Sequence, residues 1–135
     1  MAGTIKGKYG YLREVDLTYE QAVQRVTETL KAQGFGILTE INVKDTLKKK
    51  LDKDFTPYVI LGACNPNLAF QALSSEIDIG LLLPCNVVVY QKPGTGKTVV
   101  GVLDPETMVQ LTGRPDIAPV ALQARDKVLA ALEAV

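Results

Sequence analysis

Residues 93–98 read PGTGKT and run directly into VVGVL at 99–103. That stretch decides the fold, because it reads either as a phosphate loop between a strand and a helix or as a turn between two strands. A phosphate loop of the G-x-x-x-x-G-K-[ST] type needs a leading glycine five residues before the second, and a helix whose first amides cradle the phosphate. Here the leading position is Gln91, and Thr98 is followed by Val99-Val100-Gly101-Val102, a β-branched run. Both requirements fail. The sequence predicts a hairpin of strands 86–91 and 98–103, with Gly94 and Gly96 free to take positive φ at its tip.

Working outward, Asp104-Pro105-Glu106 sets a cap and a proline at a helix start. Beyond Thr112-Gly113-Arg114-Pro115, a C-terminal helix carries Ala121, Ala124, Val128, Leu132 and Val135 on one face. Upstream, Pro57 to Cys64 is an apolar run of strand length, and Asn65-Pro66 starts a helix that ends near 74–78. Phe35 to Val43 alternates as a strand. Lys44 to Lys53 reads as a short polar helix or extended loop whose Lys48, Lys49, Lys50 and Lys53 form a solvated face. Thr18-Tyr19-Glu20-Gln21 matches a capping box. It opens a helix with the stripe Ala22, Val23, Val26 and Leu30, closed by Gly34. Thr4 to Val15 reads as one strand bent at its glycines. The sum is a single α+β domain over residues 1–135, a mainly antiparallel sheet of about five strands with helices on one face.

Composition narrows the partners. Fifteen Lys+Arg balance fifteen Asp+Glu, so no general attraction to nucleic acid or anionic membranes is expected. No apolar stretch reaches the roughly 20 residues of a bilayer-spanning helix. The first 30 residues lack a secretory pattern, and two cysteines are too few for a disulfide scaffold, so the expected location is cytoplasmic.

Chemistry has few bearers, since histidine and tryptophan are absent. Cys64 precedes a capped helix start, where free amides lower a thiol's pKa, although a cysteine there also packs as an inert apolar residue. Cys85 opens the strand of Pro84-Cys85-Asn86, so two Cys-Asn pairs meet at one end of the sheet. The expected ligand site is Cys64, Asn65, Cys85 and Asn86, with Tyr58 or Glu40 as further members. Two thiols fall short of a zinc site, and no metal or cofactor is expected. Asp104 reads as a helix cap, and neither it nor Glu40 has a catalytic assignment. Three readings follow: a module binding a small molecule or partner, a thiol enzyme of redox or sulfur-transfer type using Cys64, and a structural subunit.

The blocks GFGILTEINVKDTLKKKL (34–51), PYVILGACNPNLAFQAL (57–73), IGLLLPCNVVVY (79–90) and VVGVLDPETM (99–108) resemble a bacterial and archaeal family, the domain of unknown function 302. GACNP and LLPCN are the most specific parts. The resemblance implies a layout similar to the β-α-β-β-β-β-α arrangement of the TATA-binding protein, a homodimer, and no established activity. Phe70 departs from the family pattern, in which many relatives carry a histidine or other polar residue. Leu81, Leu82 and Leu83, too closely spaced for one strand face, are the expected dimer patch.

Overall fold

The computed structural model describes residues 3–135. In chain order it holds β1 (Ile5–Lys6), β2 (Gly10–Val15), α1 (Tyr19–Ala32), β3 (Gly36–Asn42), α2 (Val43–Leu51), β4 (Tyr58–Cys64), α3 (Pro66–Ser75), β5 (Cys85–Gln91), β6 (Thr98–Leu103), α4 (Glu106–Thr112) and α5 (Ala118–Glu133). Short 3-10 turns cover Ile77–Leu82 and Pro115–Ile117. The strands form one antiparallel sheet in the order β1-β2-β6-β5-β4-β3.

The expected hairpin is present. β5 and β6 pair from Val87↔Val102 to Gln91↔Thr98. The Lys92 amide donates to the Lys97 carbonyl at 2.7 Å across the turn, and Gly94 and Gly96 take φ of 80° and 68°. The sheet has six strands where about five were expected. The difference lies at the N-terminus: the Gly7 amide donates to the Gly10 carbonyl at 2.6 Å, which folds the supposed bent strand into a small hairpin of β1 and β2.

One sheet face is covered by α1 and α5. Val59 and Leu61 of β4, Val87 and Val89 of β5, and Val100 and Val102 of β6 pack there against Val26 and Leu30 of α1 and Val128 and Leu132 of α5. Local signals place those helices. The Thr18 hydroxyl accepts from the Gln21 amide while the Gln21 side chain accepts from the Thr18 amide, a closed capping box. Arg13 on β2 donates to the Leu132 and Glu133 carbonyls and so ties the end of α5 to the sheet. α2 is a polar helix with Lys48, Lys49 and Lys50 exposed, as a solvated face requires.

The other sheet face carries Leu12, Ile41, Tyr58, Val88 and Tyr90, all exposed or half-buried. Tyr58 and Tyr90 are a cross-strand pair stacked at 5.1 Å. No helix among the described residues is long and apolar enough to cross a membrane.

Two substitutions separate turn from sheet. At Gly10 an added Cβ would run into the Val102 carbonyl oxygen across the ladder, so Gly10→Ala should cost more than about 2 kcal/mol in denaturant unfolding. Lys97 is exposed, with only a 3.9 Å surface pairing to Glu14. Lys97→Ala should therefore change stability by under about 0.5 kcal/mol, and ATP should leave the melting temperature of the unaltered protein where it is.

Candidate functional site

The ends of β4 and β5 come together where Ala63 pairs with Cys85. Cys64, the last residue of β4, passes the chain to α3 through Asn65. The Asn65 side-chain oxygen accepts from the Leu68 amide at 3.3 Å, and its amide donates to the Gln33 carbonyl at 3.4 Å. That single residue caps α3 and ties it to the end of α1.

At this end the helical layer leaves a cavity of about 320 Å³ between the sheet, α3, α4 and α5. Its buried wall includes Phe35, Ala63, Leu68, Ala72, Cys85, Met108, Ile117, Ala121 and Ala124. Leu38 and Gly80 are the exposed members of the lining, with Cys64, Asn65, Leu83 and Pro84 half-buried between them and the interior, so the cavity opens on that side.

The lining has almost no polar chemistry. Asn65 alone offers side-chain nitrogen or oxygen, and both its ends are already engaged. No carboxylate, ammonium or guanidinium belongs to the wall, which leaves the two thiols as its only ionisable groups. Burial pushes the Cys85 thiol up to about 11, with the nearby Cys64 thiolate as a lesser cause. Among the described residues no three potential metal ligands cluster.

The cavity thus brings together Cys64, Asn65 and Cys85. Asn86 goes elsewhere. Successive strand residues point to opposite faces, so Cys85 turns inward while Asn86 is exposed on the outer face, beside a depression lined by Tyr58, Val88 and Tyr90. Tyr58 sits at the far end of β4, six residues or about 20 Å from Cys64 at the usual strand rise. Glu40 is exposed on β3, where its charge helps to raise the Tyr19 pKa after desolvation. Neither joins the site. Asp104 is buried and accepts from the Glu106 amide at 3.0 Å, but the N-cap of α4 is Pro105, one residue later than the sequence implied, and it makes no side-chain capping bond. Phe70 is exposed on α3, outside the cavity.

The model of a domain of unknown function, DUF302, matches residues 11–135. The chain belongs to this family. Its fold is similar to the crystal structure of an uncharacterized conserved DUF302 protein from Bacillus stearothermophilus. The two share 33% identity and a TM-score of 0.86, over 93% of this chain and 97% of that one. No protein of curated function matches. For this DUF302 chain the site therefore rests on its own geometry.

Sequence reasoning missed the contribution of α4, α5 and the Pro115–Ile117 turn to the cavity wall. A signal was available: the inward stripe of α5 begins with Ala121 and Ala124 and only later reaches Val128 and Leu132. Small residues at one end of a core-facing stripe leave space there.

The two thiols should differ sharply. With its pKa near 11, Cys85 stays neutral through the physiological range, and its alkylation should rise about tenfold per pH unit until that value is reached. Iodoacetamide at pH 8 should label Cys64 first, as read by peptide mass spectrometry. Equal rates at pH 8 would contradict the burial of Cys85.

Proposed function

We propose that the protein is a binding module that takes a small molecule into the cavity between the β4–β5 end, α3 and α5. One observation carries this reading: a largely apolar cavity of about 320 Å³, open to solvent and bordered by both cysteines and Asn65. Ligand sites have that character, a concave apolar wall of roughly 300 Å³ or more with few polar groups. The free thiols of Cys64 and Cys85 suit a reducing compartment, and the same reading places the module in the cytoplasm.

Benzene, indole and 1-octanol are neutral probes of three shapes. At least one should raise the melting temperature and move the methyl resonances of Met108, Leu68 and Ile117, leaving those of Val88 on the outer face in place. If all three leave the lining methyls unmoved, the reading fails.

The same reading includes a homodimer. Of the three leucines expected at its interface, Leu81 is 90% exposed, whereas Leu82 and Leu83 pack on the smaller core cluster around Ile79 and Met108. No helix covers the outer sheet face of Leu12, Tyr58, Val88 and Tyr90 among the described residues, and an apolar sheet face normally packs on a second layer. A second copy related by a two-fold axis supplies one. Light scattering at micromolar concentration should give twice the 14.6 kDa chain mass. Val88→Asp should yield monomers while Leu81→Asp should not; a monomeric unaltered protein would refute the dimer, and the reverse pattern would refute the face.

A further inference from the structure

The shape of the cavity and its surroundings narrow the ligand. The cavity lies across one end of the sheet, from Leu38 on β3 to Pro105 just beyond β6. β3 and β6 are separated by β4 and β5, so that path spans three strand spacings, about 14 Å. A volume of about 320 Å³ drawn out along that path suits an elongated apolar molecule better than a compact one. An apolar cavity of about 150 Å³ accommodates benzene; by proportion this one holds about a dozen carbon atoms.

The wall offers no opposite charge to an ion, because its one polar side chain is a neutral amide already committed to the Leu68 amide and the Gln33 carbonyl. A charged head must stay outside. At Phe35, Leu38 and Cys64 the cavity adjoins a second, surface groove that runs over Gly36 and Pro66 to Lys31. Lys31 is the only charged residue lining that groove, is exposed, and takes part in none of the ion pairs among the described residues.

We infer that the ligand is a free single-chain anionic amphiphile, whose hydrocarbon tail of about a dozen carbons fills the cavity and whose carboxylate-like head lies in the groove beside Lys31. This inference rests on the cavity being the ligand site. Cys64 then stands at the junction of tail and head, and the tail passes between the β4–β5 end and the alanines of α3 and α5.

Titration calorimetry with straight-chain carboxylates of six to sixteen carbons, each below its micelle threshold, tests it. Affinity should climb roughly fourfold per methylene and level off near twelve carbons. Dodecanoate should bind several-fold tighter than dodecyltrimethylammonium at low salt. Lys31→Gln should remove that preference and leave the chain-length dependence intact, and added salt should weaken the preference in the unaltered protein. Ala121→Leu should shorten the preferred chain; if that variant does not fold, the length series on the unaltered protein decides alone. Equal binding of the two head groups, tighter binding of naphthalene than of dodecanoate, or binding only to anionic vesicles would overturn the inference. Benzene or indole binding in the cavity without dodecanoate binding would leave the ligand site standing and remove the amphiphile. Lining methyls that respond to none of these molecules would remove both.

Discussion

β5 is paired along both sides, to β4 and to β6, and its register governs what each face of the domain presents. Because side chains alternate, a slip of one residue would send Val87 and Val89 to the outer face and Asn86 into the cavity. Several contacts hold the register at the far end of the strand. The Gln91 amide donates to the Pro57 carbonyl at 3.0 Å, the Thr56 hydroxyl donates to the Gln91 carbonyl at 2.8 Å, and Thr98 is buried opposite Gln91. The glycine-bearing turn at 92–97 then fixes β6 against β5. A turn that resembles a phosphate loop is thus what sets the placement of Cys85 some distance away.

Packing density varies along the helical layer for a reason visible in side-chain size. Where α5 presents Val128 and Leu132, they fill the space over Val87, Val89 and Val100, and all are buried. One to two turns earlier the same face presents Ala121 and Ala124, while α3 offers Ala72 and β4 offers Ala63. With Ala69 of α3, five alanines line the cavity there. Atoms lining such a space lose dispersion partners, so larger residues there would stabilise the empty fold. A molecule occupying the space restores those contacts and stabilises by mass action. If the cavity takes the proposed ligand, the small residues make stability depend on occupancy at the end where both cysteines lie.

Legibility in the sequence followed the range of the interaction. The capping box at Thr18, the Asn65-Pro66 start of α3 and the PGTGKT turn are local devices, and each formed as written. The β1–β2 hairpin was harder to read, since Gly7 and Gly10 serve a bulge as well as a turn and only pairing distinguishes them. The Leu81-Leu82-Leu83 run was read without its 3-10 turn, which lets Leu82 and Leu83 pack inward and leaves Leu81 out. That Cys64 and Cys85 share one end of the sheet is legible because one closes a strand before Asn65-Pro66 and the other opens a strand after Pro84. The opposite facing of Asn86 followed from the pleat and was overlooked, and the α4 and α5 side of the cavity depends on long-range packing that no local motif encodes.

The same geometry bears on the role of the thiols. A reactive Cys64 needs amides at the start of α3 to hold its thiolate, yet Pro66 has no N–H and the Leu68 amide is committed to Asn65. The Ala69 amide donates to the Asn65 carbonyl, which leaves Asn67 as the one free donor of the first turn. Cys85 is held protonated by the apolar wall it helps to form. Both sulfurs thus behave foremost as small, polarizable apolar groups, larger than alanine and softer than valine, that adapt to whatever lies against them. In a wall that is almost wholly apolar, cysteine at the mouth and at the inner end of the strand pair is a packing choice, and its chemistry follows from that position.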